Sequence, residues 1–176
     1  KLELKTEAQP YLRRLAGIVG QPVHLAILDG SEAIYIEKIE ALNSMRMYSQ
    51  IGKRVPVHCS AIGKVLLSGL DKNSMDEFLN RHELTPFTIN TIKTKAELTK
   101  QVQNVRKLGF AVDDEEHEQG VRCVAAPVYD YTDRIIAAVS VSGDKRIIKK
   151  ERDEEISRYV IDTAGEISRE MGCIKQ

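Results

Sequence analysis

The segment Gly52–Leu70, with the sequence GKRVPVHCSAIGKVLLSGL, contains the residues best suited to bind a small anion. Ser60 is predicted to be the N-cap of a helix, because it precedes apolar residues at helical spacing. The backbone N–H groups of Ala61, Ile62 and Gly63 then lack partners within the helix, and Gly63 has no side chain to keep a ligand away. Such a helix start can bind a carboxylate or a phosphate. The plainer interpretation is a capped helix whose free donors bind only water.

Two serines form a second group that could contact a ligand. In the strand predicted over Ile135–Ser142, alternate residues face opposite sides of a sheet, so Ser140 and Ser142 share one face. Two neighbouring hydroxyls in an otherwise apolar strand can line a small polar cavity. The same pattern fits a strand with one face in water, and both interpretations remain open at this point.

An acidic segment, DDEEHE, begins at Asp113. Its first four carboxylates could ligate a metal, but they lack the alternating spacing of a calcium loop. A run of this kind is more typical of a solvated turn. Asp113 follows directly on a predicted strand, and we expect it to be the member that points inward.

The sequence gives little evidence for an enzyme. It contains no G-x-S-x-G, phosphate-loop, G-x-G-x-x-G or H-E-x-x-H motif. His58, Cys59 and Ser60 are adjacent, so their side chains diverge instead of meeting as nucleophile and base. Cys123 follows Arg122 and could be an activated thiolate. A buried cysteine in a strand is the commoner arrangement.

The composition predicts one globular domain with a substantial core, since 42% of the 176 residues are hydrophobic and 30% are charged. Lys+Arg and Asp+Glu both number 26, and this zero net charge argues against direct nucleic-acid binding. Neither a signal peptide nor a long apolar run is present, so we expect a cytoplasmic location without membrane association. Three widely spaced cysteines match neither a disulfide framework nor a zinc pattern. Because the sequence opens at Lys1, we expect a fragment or a processed form.

Hydrophobic spacing predicts helices at both ends and strands in the middle, which indicates an α+β fold with a mostly antiparallel sheet. The predicted strands are Val23–Leu28, Ala33–Ile39, Arg46–Ser49, Phe110–Val112, Val121–Tyr129 and Arg134–Ser142. The predicted helices are one that ends at Gly20, one after Ser60, one opened by a Ser74/Glu77 capping box, one from Thr94/Glu97 to Gly109, and a last one containing Ile156–Met171. We expect a mobile loop over Arg81–Thr91.

Three motifs in order carry a resemblance to a known family: RMYSQIGKRVPVHCSAIGKVLLS, GFAVDDEEHEQGVRCVAAPVYD and IIAAVSVSG. Together they resemble the effector-binding domain of the IclR family of bacterial transcriptional regulators, over essentially the whole chain. The first motif is most similar to the KdgR-like branch, which responds to 2-keto-3-deoxygluconate and related sugar acids. Asp144 departs from the family pattern, which usually has proline there.

The resemblance implies a GAF-like or profilin-like fold, a curved and mostly antiparallel sheet flanked by helices. Residues 1–176 would form the effector-binding domain, in which residues 1–20 comprise the end of a connecting helix and the first helix. A winged helix-turn-helix domain, absent from this chain, would precede it and bind operator DNA. The resemblance further implies a homodimer or homotetramer and no cofactor.

The resemblance also implies which residues bind the effector. The amides of Ala61 and Ile62, at the helix start that Ser60 and Gly63 form, would hold a carboxylate. The other implied contacts are polar side chains and apolar walls: Asp113, Cys123, Ser140, Ser142, Met47 and Val121.

The expected function is a ligand sensor, in a regulator that is a repressor, for a 2-oxo acid or sugar acid. The alternative is a small enzyme with Cys123 as nucleophile and Asp113 as base, or a zinc-binding module whose ligands the spacing does not select.

Overall fold

The computed structural model describes residues 2–42, 44 and 49–174. Its helices are α1 (Leu2–Val19), α2 (Ala61–Ser68), α3 (Lys72–Arg81), α4 (Lys95–Leu108) and α5 (Asp153–Glu170), with a short 3-10 turn at Lys150–Arg152. Its strands are β1 (Val23–Asp29), β2 (Glu32–Ile39), β3 (Arg54–Pro56), β4 (Ala111–Asp114), β5 (Val121–Tyr129) and β6 (Ile135–Asp144).

The six strands form one curved sheet in the order β3-β2-β1-β6-β5-β4, and every neighbouring pair is antiparallel. Helices α1 and α5 pack on one face of the sheet, whereas α2 and α4 pack on the other. The predicted α+β class and the antiparallel sheet are confirmed. Each face of the sheet has its own apolar core, so the central strands are buried on both sides.

Strand alternation places the two serines as predicted. Ala137, Val139 and Val141 of β6 face α1 and α5, whereas Ala138 belongs to the core under α2. Ser140 and Ser142 therefore share the face on the α2 side, where both are 2% exposed. The predicted hairpin at Asp29-Gly30 is also confirmed, with Gly30 at φ 63°.

One predicted helix start differs from the structure, and one predicted strand falls largely outside the described residues. Helix α3 begins at Lys72 and not at a Ser74 cap, because the Asp71 side chain accepts the Ser74 N–H at 2.8 Å. Asp71 is thus the N-cap, three residues earlier than predicted. The strand predicted over Arg46–Ser49 lies largely outside the described residues, and its last residue, Ser49, has no regular structure.

The other capping predictions are confirmed. Thr94 caps α4 by accepting the Glu97 N–H at 3.1 Å, and Gly109 ends that helix in the left-handed conformation.

The segment after α3, which we predicted to be a mobile loop, has hydrogen bonds to the acidic turn. Thr91 Oγ1 donates to the Glu116 carbonyl at 2.6 Å, and Thr88 Oγ1 donates to the Glu115 carbonyl at 2.6 Å.

Helix α2 lies unusually close to the chain that precedes it, and Gly63 makes this possible. A Cβ atom at Gly63 would lie 2.2 Å from Cα of Val57 and 2.4 Å from its carbonyl oxygen. Both atoms belong to the backbone, so a side chain there would push the helix off the sheet. Gly63 is therefore required for packing.

We predict that Gly63→Ala lowers the free energy of unfolding by roughly 2 kcal/mol or more, because the added methyl group overlaps backbone atoms. Gly17→Ala is the matched control, since the site is inside α1 and a Cβ added there would meet no neighbouring atom within 4 Å. It should raise the stability by about 0.5–1 kcal/mol. Urea unfolding of the three proteins measures both changes. Equal stabilities for Gly63→Ala and the parent would contradict the packing role.

Candidate functional site

A small cavity of about 40 Å³ lies between the sheet and the N-terminus of α2. The cavity has room for roughly one water molecule, at about 30 Å³ each. Its lining residues come from strands β2 to β6, the start of α2 and the turn after β4: Tyr35, Val55, Ser60, Ala61, Ile62, Asp113, His117, Glu118, Val121, Cys123, Ser140 and Ser142.

The helix start has the predicted geometry with one difference. Ser60 is the N-cap in an extended conformation, and its hydroxyl accepts the Gly63 N–H at 3.1 Å and donates to the Pro56 carbonyl at 2.6 Å. Within the described part of the chain, the amides of Ala61 and Ile62 have no protein hydrogen-bond partner. The prediction that Gly63 contributes a free donor is wrong, because Ser60 occupies its N–H group and Gly63 does not line the cavity.

Strand register brings three of the predicted side chains into one row. Asp113 of β4 is paired with Cys123 of β5, and Cys123 is paired with Ser142 of β6. In the next row on the same face, Ser140 lies between Ala125 of β5 and His24 of β1. The row of Asp113, Cys123 and Ser142 forms the polar floor of the cavity.

Cys123 does not have the environment of a nucleophile. Burial and the neighbouring Asp113 raise the pKa of its thiol above the ordinary value, so the neutral form is favoured. Arg122 does not act on it, since its guanidinium donates to Asp153 at 2.7 Å and 2.9 Å and to Asp114 at 2.8 Å. The arrangement offers a weak polar contact for a ligand, and no activated thiolate.

Asp113 points inward, as predicted, and is 3% exposed. Its Oδ1 accepts the N–H of Glu116 at 2.8 Å. Burial, followed by the nearby charge of Glu116, raises the pKa of this carboxyl to about 7. Asp113 is therefore a carboxyl group that can hold a proton near neutral pH.

The interpretation of the acidic run as a solvated turn is wrong for its fourth member. Both carboxylate oxygens of Glu116 accept from Lys64 Nζ, at 3.0 Å and 2.9 Å. The Lys64 and Glu116 side chains are 1% and 10% exposed, and Lys64 also donates to the Val112 carbonyl. This buried ion pair links α2 to the turn that carries Asp113.

Three histidines are connected by ring contacts that include Phe87, and one of them, His117, lines the cavity. His58 Nε2 contacts the Thr85 carbonyl at 3.0 Å and must carry the hydrogen, so His58 Nδ1 accepts from His82 Nε2 at 2.9 Å. His117 lines the cavity and packs edge-on against Phe87. Burial lowers the pKa of His58, His82 and His117.

Among the described residues, no group of three or more His, Cys, Asp or Glu side chains could hold a metal ion.

Most of the predicted site residues meet around the cavity. Two of them do not. Met47 lies outside the described residues, and Gly63 packs against the backbone of Val57. Sequence reasoning missed four lining residues, namely Tyr35, Val55, His117 and Glu118. Strand alternation from Ala33 could have identified Tyr35, whereas nothing in the local pattern identified Lys64 as the partner of Glu116.

Comparison with known proteins gives the family. A family model described as "Bacterial transcriptional regulator IclR C-terminal" matches residues 1–169. The chain is 43% identical over 141 residues to HTH-type transcriptional regulator XynR of Escherichia coli K12, covering 80% of this chain and 56% of XynR. It is 36% identical over 171 residues to HTH-type transcriptional regulator KdgR of Dickeya chrysanthemi, covering 97% of this chain and 56% of KdgR.

Solved structures agree with this result. The IclR protein of Thermotoga maritima has a TM-score of 0.92 at 37% identity, covering 96% of this chain and 68% of that chain. The inducer-binding domain of PobR from Acinetobacter, a double mutant in complex with 3-hydroxybenzoic acid, has a TM-score of 0.84 at 25% identity, covering 92% of this chain and 95% of that chain.

The chain belongs to the IclR family of bacterial transcriptional regulators and corresponds to their C-terminal domain. It spans about half the length of the regulators XynR and KdgR. Within the described ranges, no helix combines the length and the apolar composition needed to cross a membrane.

We predict that Lys64→Met lowers the free energy of unfolding by about 3–5 kcal/mol, because it leaves the Glu116 carboxylate buried without its partner. Arg158→Met is the control, since Arg158 pairs with Glu154 on the surface, where the side chains are 70% and 81% exposed. That change should cost about 0–1 kcal/mol. Chemical denaturation measures both, and equal losses for the two variants would contradict the anchoring role of Lys64.

Proposed function

We propose that this domain senses a small carboxylic acid, a 2-oxo acid or a sugar acid such as 2-keto-3-deoxygluconate, in the cavity under α2. The whole protein is then a transcriptional repressor whose operator binding the acid controls. The observation that carries the proposal is a pair of backbone amides, Ala61 and Ile62, that have no partner among the described residues. They lie at a helix start that faces buried hydroxyls and a buried carboxyl. This set can bind an anion at one end and hydroxyl or keto groups at the other.

The amides suit a carboxylate better than a phosphate dianion. Among the described lining residues there is no lysine or arginine, and two carboxyls, Asp113 and Glu118, are present. Backbone dipoles can stabilise one negative charge without the desolvation of a cationic side chain, whereas a second charge would lack a partner. The similarity to the PobR domain, which was solved in complex with a hydroxybenzoic acid, supports an acid as effector.

The polar floor suits the remainder of such a molecule. Ser140, Ser142 and Asp113 offer donors and acceptors to hydroxyl groups, and the Tyr35 hydroxyl extends the set towards β2. Val55, Ile62 and Val121 supply apolar contacts for the carbon chain. The cavity therefore matches a polar molecule with one charged end.

The size of the cavity implies that binding and conformational change are coupled. A space of about 40 Å³ is too small for a sugar acid, so α2 and the turn after β4, which the Lys64–Glu116 pair joins, move together away from β5 and β6 when one binds. A ligand that fits only the wider state shifts the population towards that state. In the proposed mechanism this shift is the signal that reaches the DNA-binding part.

The same proposal implies two macromolecular partners, which are operator DNA and further copies of this chain. XynR and KdgR are named HTH-type regulators, and we propose that a helix-turn-helix domain outside residues 1–176 contacts the operator DNA. The zero net charge of residues 1–176 fits a part that does not bind DNA itself. Paired operator half-sites require paired modules, so we propose a homodimer or homotetramer.

We predict that Ala61→Pro weakens binding of the best acid by about 1.5–3 kcal/mol, because it removes one charge-assisted amide donor. Proline is tolerated at the first helical position, and Ser60 already has the extended conformation that precedes proline. Ser140→Ala should weaken binding by roughly 1–3 kcal/mol, since it leaves a buried ligand group unpaired.

Calorimetric titration with 2-keto-3-deoxygluconate, pyruvate and glyoxylate measures these losses. Ser157→Ala is the control, because Ser157 is similarly buried but lies on α5, away from the cavity. Binding of the preferred acid by Ala61→Pro and Ser140→Ala as tight as by the parent would place the site elsewhere.

We also predict that residues 1–176 self-associate at micromolar concentration, as paired operator recognition requires. Sedimentation equilibrium should then give a mass of at least twice the 19.8 kDa of one chain. A single species of monomer mass over the whole concentration range would contradict the assembly.

A further inference from the structure

We propose that the cavity takes up its anionic ligand together with one proton, which Asp113 holds as a neutral hydrogen-bond donor. The inference rests on the proposed function and deepens it, since it defines the ligand as a monoanion bound with a proton. Its basis is the arrangement of charges around the cavity.

The first observation is the set of groups that a bound carboxylate would meet. In the described lining, the donors are the amides of Ala61 and Ile62 and several hydroxyls, and no cationic side chain is present. Asp113 lies in the same small space, 3% exposed. An ionised carboxylate there would repel the ligand at short range in a poorly hydrated site, whereas a protonated one can donate to it.

The second observation is that the nearest cationic side chain, Lys64, already has an ion-pair partner. Lys64 Nζ binds both oxygens of Glu116 and the Val112 carbonyl, and its side chain is only 1% exposed. Lys64 therefore neutralises Glu116 and is not available to pair with Asp113. The N–H that Glu116 donates to Asp113 Oδ1 fixes the orientation of the carboxyl and places no opposite charge beside it.

The titratable groups around Asp113 include one cation, Lys64, whose charge is offset by Glu116, and the others supply no positive charge at neutral pH. They come from β2, the segment before α2, α2 itself, the turn after β4 and β5: Tyr35, Cys59, Lys64, Glu116, His117, Glu118 and Cys123. Burial raises the pKa of Tyr35, Cys59 and Cys123, and it lowers the pKa of His117, so all four are neutral near pH 7. Burial and Glu116 raise the pKa of Asp113 to about 7, in agreement with this arrangement.

The sign of the effect follows from linkage. If the complex contains protonated Asp113, binding is strongest below the pKa of Asp113 in the free protein. Above that pKa, each bound anion must bring one proton. The affinity should then fall about tenfold for each pH unit.

The test is a calorimetric titration of residues 1–176 with 2-keto-3-deoxygluconate and with pyruvate between about pH 5.5 and 8.5, where both are anions. Each pH is measured in two buffers of different ionisation enthalpy, which reports the protons taken up per ligand. We expect close to no uptake at about pH 5.5, about one proton at about pH 8.5, and an affinity loss of about tenfold per unit above about pH 7.

Asp113→Asn is the decisive variant, because an amide has the shape of the protonated carboxyl and cannot titrate. It should bind with a flat pH profile and without proton uptake. Glu118→Gln and His117→Gln are matched controls at the same cavity, and both should keep the pH profile of the parent. A ligand-free check is the carboxyl ¹³C resonance assigned with Asp113→Asn, which should titrate near pH 7.

The failures can be told apart. Binding without proton uptake, or a pH profile that survives Asp113→Asn, overturns this inference and leaves the proposed function standing. Loss of the profile in Glu118→Gln or His117→Gln assigns the proton to that residue and also overturns it. No binding of either acid at any pH overturns the proposed function and this inference together.

Discussion

The buried ion pair between Lys64 and Glu116 is the interaction on which the arrangement of the site depends. Lys64 extends from the middle of α2, and Glu116 lies in the turn that follows β4. Glu116 also accepts the Asp114 N–H at 3.1 Å with its side chain, and its carbonyl accepts the Thr91 hydroxyl at 2.6 Å. The Glu116 carboxylate thereby joins the helix to the turn, and the backbone carbonyl of the same residue joins the turn to the segment after α3. Because both charges are desolvated, neither residue can lose its partner cheaply.

This pair also determines the electrostatics of the cavity. Since Lys64 is committed to Glu116, the positive end of the site is made of backbone dipoles at Ala61 and Ile62. The N-cap bond between Ser60 and Gly63 fixes these donors relative to α2, so they keep their mutual geometry when the helix moves. In the proposed function, the lack of a lysine or arginine among the described lining residues favours an anion with one negative charge over one with two.

A sensor domain must change its conformation when its ligand binds, and the small size of the cavity is consistent with such a change. The sheet's polar floor and the start of α2 enclose a space of about 40 Å³, and α2 is held down at Val57 by the absence of a side chain at Gly63. The Ser60 hydroxyl also joins the helix start to the Pro56 carbonyl, so we expect α2 and the segment before it to move as one unit. In the proposed mechanism, the acid displaces this unit from β5 and β6.

The sequence by itself determined the local structure and the chemistry of most lining residues. Caps at Ser60 and Thr94 and the alternation of Ser140 and Ser142 depend on neighbours a few residues away, so local patterns predict them. The α3 cap was misassigned because Asp71 and Ser74 are both good caps and only the fold selects between them.

Only the tertiary structure decided what crosses between elements. Register placed Asp113, Cys123 and Ser142 in one row, and the sequence contains no local signal for the pairing of β4, β5 and β6. The local pattern predicts a solvated Glu116, whereas the packing of α2 brings Lys64, 52 residues away, against it. The role of Gly63 changed for the same reason, since contact with Val57 depends on how the helix packs. Propensity acts over a few residues, whereas burial and charge pairing depend on the whole chain.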